Sequence, residues 1–170
     1  MIRIKALAAS VALAVVSLSI GPVAAAPAPV GFQIMCLQFP AECQGGGSHK
    51  VLLTEAMLVQ ITHVNSQINR AIQPRNDAGA DIWSVGVSSG DCEDYALSKR
   101  RALIEGGLPP SALRLAYVKT RTNQDHAILI IKTDTGDLVL DNLAGQVLPL
   151  GKTAYRIIAA SGPDPMVWSR

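Results

Sequence analysis

Beyond residue 48 the apolar positions follow two different rhythms. Leu53, Met57, Ile61, Val64, Ile68 and Ile72 recur every three or four residues, with Gln60, Asn65, Gln67 and Asn69 on the other faces. That spacing predicts a helix laid on a core, with Ser48 as its N-cap and Pro74 as its stop. His63 lies beside the stripe and reads as an ordinary boundary residue. Residues 73–90 show no period, and so long an irregular stretch inside a compact domain is usually functional or disordered. It holds Trp83, one of two tryptophans, and reads as a cleft-lining loop, with Trp83 capping the core as the equal alternative. A second helix is expected over Asp91–Glu105, acidic at its start, with Lys99, Arg100 and Arg101 toward its end to answer the helix dipole. Gly106-Gly107 and Pro109-Pro110 end it.

From residue 113 the period shortens. Leu113–Val118 alternates, and Ala127–Ile131 is a short, β-branched, wholly apolar run of the kind that forms a central strand covered on both faces. Thr133–Gly136 reads as a turn and Leu138–Asp141 as the antiparallel return. Short strands around Val147–Leu150 and Ala154–Ile158 complete the chain. Helices followed by an antiparallel sheet make the class α+β. Residues 26–47, rich in Pro, Ala and Gly, are expected to be mostly irregular.

The first 25 residues stand apart from this fold. Arg3 and Lys5 precede an apolar stretch, Ala6–Ile20, and Pro22–Ala26 offers small residues for cleavage, the pattern of a signal peptide cut after Ala25. The alternative, an uncleaved anchor, is disfavoured because the run is short for a span of about 20 residues. Cleavage removes two of the fifteen basic residues and none of the thirteen acidic ones, leaving thirteen of each. The basic balance thus belongs to the leader, and no basic patch with interleaved aromatics points to nucleic acid. Residues 26–170 suffice for one domain, periplasmic or secreted, with no stable membrane span once the leader is gone.

Export gives the three cysteines meaning, because an oxidising compartment preserves disulfides. Cys36 and Cys43 flank Pro40 in Cys36-Leu37-Gln38-Phe39-Pro40-Ala41-Glu42-Cys43, and a prolyl turn brings such a pair together. A zinc site using both with His49 is the alternative, though it lacks a fourth ligand. Cys92 is left over, in the run Gly90-Asp91-Cys92-Glu93-Asp94-Tyr95. Three carboxylates around a thiol oppose its ionisation, which calls for a nearby cation or an unreactive cysteine.

Cysteine catalysis needs a base and a group that orients it. Cys92 starts a helix, where free N–H groups favour thiolate and oxyanion alike. His126 opens the central strand and Asp141 ends the next. A four-residue loop over Thr133–Gly136 sets His126 opposite Leu143, with Asp141 on the same face along a diagonal of roughly 7–8 Å. A two-residue loop at Thr135-Gly136 would stretch the offset beyond contact. This layout is shared by papain-like and transglutaminase-like enzymes.

At these residues the chain resembles the bacterial transglutaminase-like cysteine peptidases. Gly90–Ala96 (Gly-Asp-Cys-Glu-Asp-Tyr-Ala) with Lys99 and Gly107, His126-Ala127 before an apolar strand, and Leu140-Asp141-Asn142 after it carry the likeness. The Cys36/Cys43 pair and Trp83 also suit it. The resemblance implies Cys92 as nucleophile, His126 as general base and acid, Asp141 as orienter, and a protein substrate of the periplasm or cell surface. Relatives that cleave surface adhesins depend on Ca²⁺ beside the cysteine, and Asp91, Glu93 and Asp94 stand at the matching positions. Three acids cannot complete a shell of 6–8 oxygens, and the alternative is that they only answer the helix dipole. The chain is shorter than those relatives, with no obvious counterpart to surfaces that would bind an inner-membrane receptor. A transglutaminase-type acyltransferase and a non-enzymatic binding module on the same fold are the competing readings.

Overall fold

The computed structural model describes residues 25–170; apart from Ala25, the expected leader lies outside them. Among the helical elements, α1 (Val30–Gln38) and a 3-10 turn (Pro40–Cys43) come first. Helices α2 (Glu55–Ala71) and α3 (Cys92–Glu105) follow. The strands are β1 (Ala25–Pro27), β2 (Gln73–Pro74), β3 (Ser89–Gly90), β4 (Leu113–Lys119), β5 (Asp125–Ile131), β6 (Leu138–Leu140), β7 (Leu148–Pro149), β8 (Arg156–Ser161) and β9 (Val167–Ser169). Seven of them form one sheet in the order β1-β9-β8-β4-β5-β6-β7, antiparallel at every step. The α+β class is therefore as expected, with β5 buried at every position from His126 to Ile131.

The sheet has two unequal faces. Leu113, Leu115, Leu129, Ile131 and Leu140 meet Phe32, Ile61, Leu97 and Leu103 of the helices in the main core. On the reverse, Ala116, Val118, Ile128, Ile130 and Val139 make a smaller core under Leu150 and Tyr155. The β5–β6 pairs are Leu129 with Leu140, Ile130 with Val139 and Ile131 with Leu138. This is the register of the four-residue loop, and it sends His126 and Asp141 out at the same end of the sheet.

Three local expectations are corrected. The segment 26–47 is not mostly irregular, since it contains both β1 and α1. Helix α1 buries Gly31, Phe32 and Met35 but exposes Val30, Ile34 and Leu37, so it has no polar face and leaves no amphipathic signal. Its Gly31 is required by close approach: a Cβ there would sit 2.6 Å from the Asp81 carbonyl and from the Trp83 ring. Second, α2 is capped by Thr54, whose hydroxyl accepts the Met57 N–H at 3.1 Å, and not by Ser48, which bonds locally to Lys50. Third, Lys99 and Arg100 do not decorate a solvated helix end, because both are 1 % exposed. Arg100 donates to the Glu42 and Gln44 carbonyls, and Arg101 pairs with the Glu42 carboxylate at 2.5 Å. The two arginines thereby tie α3 to the loop closed by the Cys36–Cys43 disulfide. That bond consumes both thiols, and the zinc alternative with His49 falls away.

Trp83 belongs to the core. It makes edge contacts with Phe32 at 5.4 Å, Tyr117 at 5.7 Å and Trp168 at 6.4 Å. The two ends of its loop do line the cleft, through Pro74, Arg75, Asn76 and Gly90.

Candidate active site

Helix α3 presents Cys92 because the chain before it is pinned. The β2–β3 pairing fixes Gly90, whose carbonyl accepts the Arg75 N–H at 2.8 Å. Asp94 accepts the Ser84 N–H at 2.7 Å and Tyr95 donates to the Ile72 carbonyl at 2.5 Å, so the first turn is held from two sides. Cys92 is the free cysteine among the described residues and is half-buried. It lines a cleft of about 320 Å³ together with His126, Asp91, Asp125, Thr120 and Asn142.

His126 and Asp141 are both buried, and Nε2 lies 2.8 Å from Oδ1. Asp141 also accepts the Leu143 N–H at 2.9 Å on Oδ1 and the Tyr155 hydroxyl on Oδ2. Burial alone would raise its carboxyl; the bonds from His126, Tyr155 and Leu143 outweigh that and hold it below the ordinary carboxylate value. An ionised carboxylate can only accept, so Nε2 carries the proton and Nδ1 keeps the lone pair. Asn69 of α2 donates to the Asp141 carbonyl at 2.8 Å and steadies the turn from behind.

The thiol sits in an adverse field. Burial pushes it up, the neighbouring Glu93 carboxylate pushes it further, and Asp91 adds to this, while the Ala127 amide pulls the other way. Its Sγ donates to Glu93 at 2.9 Å. Burial raises Glu93 to about 7 and Asp94 to about 6. Lys99, two turns along α3, is lowered to about 7 by burial against the opposing pull of Asp141, and stands 5.8 Å over the Tyr95 ring.

Asp91, Glu93 and Asp94 stay close enough for Asp91 to raise both of the other carboxyls, but each has a further neighbour. Asp91 joins Asp77 and Asp81, with ligand oxygens all within 4.8 Å of one another. Glu93 turns to the thiol and Asp94 to the Ser84 amide. Asp77 and Asp81 lie in Asp77-Ala78-Gly79-Ala80-Asp81, where the only signal is two acids flanking a glycine in a stretch without period. Tyr155 carried no signal at all, being one aromatic in an unremarkable strand.

The sequence profile of the bacterial transglutaminase-like cysteine proteinases (BTLCP) matches residues 23–170. The chain belongs to this family. Calcium-bound Legionella pneumophila LapG is similar to it at 27% identity and TM-score 0.58, over 65% of this chain and 67% of that one. A second LapG structure gives 27% and 0.57, over 65% and 66%. EGTA-treated LapG gives 22% and 0.56 over 85% and 88%, a likeness of fold. No curated protein matches the sequence. As a transglutaminase-like cysteine peptidase, the protein has a sheet-and-helix frame that places thiol and imidazole on the same cleft.

Tyr155 holds Asp141 and tilts against the His126 ring, 5.7 Å between centroids. Tyr155→Phe removes one bond to a buried charge, worth about 1.5–3 kcal/mol. A roughly tenfold fall in kcat at nearly constant KM is expected, with the acid limb of the pH profile moving upward as Asp141 loses a partner. An unchanged profile would show that Tyr155 only packs.

Proposed function

We propose that the protein is an exported cysteine protease working through Cys92, His126 and Asp141. The observation that carries this is the buried His126–Asp141 pair on the cleft that also holds Cys92 at the start of α3. His126 Nδ1 takes the thiol proton, and Sγ attacks the scissile carbonyl. Asp91 makes no side-chain capping bond, so first-turn N–H groups of α3 are available to the oxyanion. The imidazolium, stabilised by Asp141, returns its proton to the leaving amine. Water, deprotonated by His126, then releases the acyl group from sulfur.

Export is supported by the leader-like first 25 residues and by the Cys36–Cys43 disulfide, which suits an oxidising compartment. Residues 26–170 then form the mature peptidase domain, and among the described residues no helix is long and apolar enough to cross a membrane. The substrate is a protein of the periplasm or cell surface. Mature wild type and Cys92→Ala are to be compared for iodoacetamide labelling and for cleavage of exported proteins, with a labelled amine present. Labelling no faster than a model thiol, and cleavage indifferent to Cys92→Ala, would sink the reading. Incorporation of the amine in place of hydrolysis would make the protein an acyltransferase.

Calcium is part of the proposal, since a solved relative is calcium-bound. The residues suit it: Asp77, Asp81 and Asp91 offer hard oxygens at close quarters, and Asp91 Oδ1 is buried without a hydrogen-bond partner. These three would hold the ion, with Glu93 and Asp94 adding charge nearby. A bound dication would set positive charge beside Cys92 against the surrounding carboxylates. Alkylation of Cys92 at fixed pH is expected to rise about tenfold in Ca²⁺, one unit of thiol pKa, and to fall back on chelation. Asp91→Asn should remove both this response and the heat of Ca²⁺ binding; an alkylation rate blind to calcium would dismiss the ion.

A further inference from the structure

Behind the His126–Asp141 pair lies a second cavity, of about 250 Å³, that the reaction does not use. Asp141 and Tyr155 form part of its wall. The Asp141–Ala144 turn and the tip of the β4–β5 hairpin stand between it and the catalytic cleft: Arg121 and Ala144 face the cavity, while Thr120, Gln124 and Asn142 face the cleft. The two hollows differ in charge. The cleft is lined by Asp91, Asp125 and Arg75, with Asp125 paired to Lys119 at 2.8 Å. The cavity carries Arg121 and Lys152, and neither joins an ion pair among the described residues.

The one acid in its wall, Asp141, keeps its charge, but both its oxygens are occupied by other donors, so it pairs with neither Arg121 nor Lys152 and the two cations outnumber it. Asp141 already accepts from His126 and Leu143 on one oxygen and from Tyr155 on the other. Tyr155 has its hydroxyl engaged there, so it offers the cavity a ring. Val139 and Leu148 supply apolar wall for a methylene stem, and Thr153 adds a hydroxyl. A guanidinium and an ammonium at a small hollow that also offers the Gln146 amide and the Thr153 hydroxyl match a carboxylate on a short stem.

We propose that this cavity is a substrate subsite that receives an aspartate or glutamate side chain of the polypeptide being cleaved. The proposal rests on the protease reading of Cys92. An extended substrate advances about 3.3 Å per residue, and the two hollows share the Asp141–Ala144 turn as a wall, so the proposal places the acid a few residues from the scissile carbonyl. Arg121 and Lys152 are then specificity-determining residues that grip the substrate beside the reacting bond.

The test is cleavage-site profiling on a proteome-derived peptide library. Sites cut by wild type and absent with Cys92→Ala are expected to carry Asp or Glu at one fixed position, enriched roughly three- to tenfold. Arg121→Glu combined with Lys152→Glu should turn that preference toward Lys and Arg. Cleavage without acid enrichment, or enrichment indifferent to charge reversal, overturns the subsite and leaves the protease standing. Absence of any Cys92-dependent cut overturns the protease reading instead. In that case NMR titration of the Cys92→Ala protein decides the cavity on its own. Shifts at Arg121, Thr153 and Ala154 with acetyl-Ala-Glu-Ala-amide, and not with its Gln analogue, support carboxylate recognition. Equal responses to the two peptides, or a response to inorganic phosphate as strong as to the Glu peptide, reject it.

Discussion

Asp141→Asn is expected to lower kcat by about 10⁴ with the fold intact, the order lost when a triad carboxylate becomes an amide. Both oxygens of Asp141 are engaged, Oδ1 by His126 and the Leu143 amide and Oδ2 by the Tyr155 hydroxyl. Asparagine has one acceptor where three donors converge. If its oxygen stays on His126, its NH₂ meets Tyr155, whose hydroxyl can turn to accept. If the amide rotates, its NH₂ faces Nε2 and drives the imidazole proton to Nδ1, where it blocks proton uptake from the thiol. Either way the buried imidazolium loses its counter-charge. The His126–Asp141 pair also contributes to stability wherever Asp141 is ionised in the fold. Its carboxyl is held low, so that contribution is present above the ordinary aspartate value and is lost only as pH falls through the depressed one. Single-turnover kinetics with circular dichroism gives the check: a fall in kcat smaller than tenfold in a folded variant would falsify the assignment of Asp141 as orienter.

The pair itself was legible because strand geometry has a period of two and register then follows from loop length. A four-residue loop over Thr133–Gly136 brings His126 and Asp141 to one face within reach, where a two-residue loop would not, and the observed register is that of the four-residue loop. The stripe of α2 was legible for the same kind of reason. What escaped were features decided by a distant partner. Lys99-Arg100-Arg101 looks like a solvated helix end, yet α3 is buried from Asp94 through Arg100. Successive helical residues point about 100° apart, so a helix enclosed nearly all round must carry some of any charged run inward. Helix α1 escaped for the opposite reason, being apolar on its exposed side too. Tyr155 and Asn69 reach Asp141 across sequence gaps of 14 and 72 residues, and no local pattern records such a meeting.

The adverse field at Cys92 connects these pieces. Of the acids that flank the thiol in sequence, Asp91 has an oxygen in the close cluster with Asp77 and Asp81, while Glu93 bonds to the thiol and Asp94 to the Ser84 amide, both within reach of the Asp91 charge. The loop 73–90 therefore does two jobs. Its Trp83 anchors in the core, and its acids lie beside the start of α3. A site of this kind can couple thiol ionisation to whatever neutralises that cluster, and the His126–Asp141 pair, on the far strands, is left to supply orientation.

Arg100→Met is expected to cost about 3 kcal/mol of stability, seen as a fall in Tm of about 10 °C for a domain of this size. Arg100 donates to the Glu42 carbonyl and, at 3.1 Å, to the Gln44 carbonyl, and so fastens the disulfide loop to the helix that carries Cys92. Methionine fills most of the space but leaves both acceptors unpaired, at about 1–3 kcal/mol each. An opposing effect limits the loss. The guanidinium is desolvated, its value lowered to about 10 by burial against the pull of Glu42, and its Nε has no partner; removing it relieves that cost. Lysine at this position keeps the charge without the planar fork that reaches two carbonyls at once, so Arg100→Lys should fall between wild type and Arg100→Met. The ordering separates the two effects in a thermal melt. If Arg100→Met proves as stable as wild type, desolvation of the guanidinium outweighs its hydrogen bonds, and the Cys36–Cys43 bond, the Arg101–Glu42 pair and core packing suffice to hold the disulfide loop.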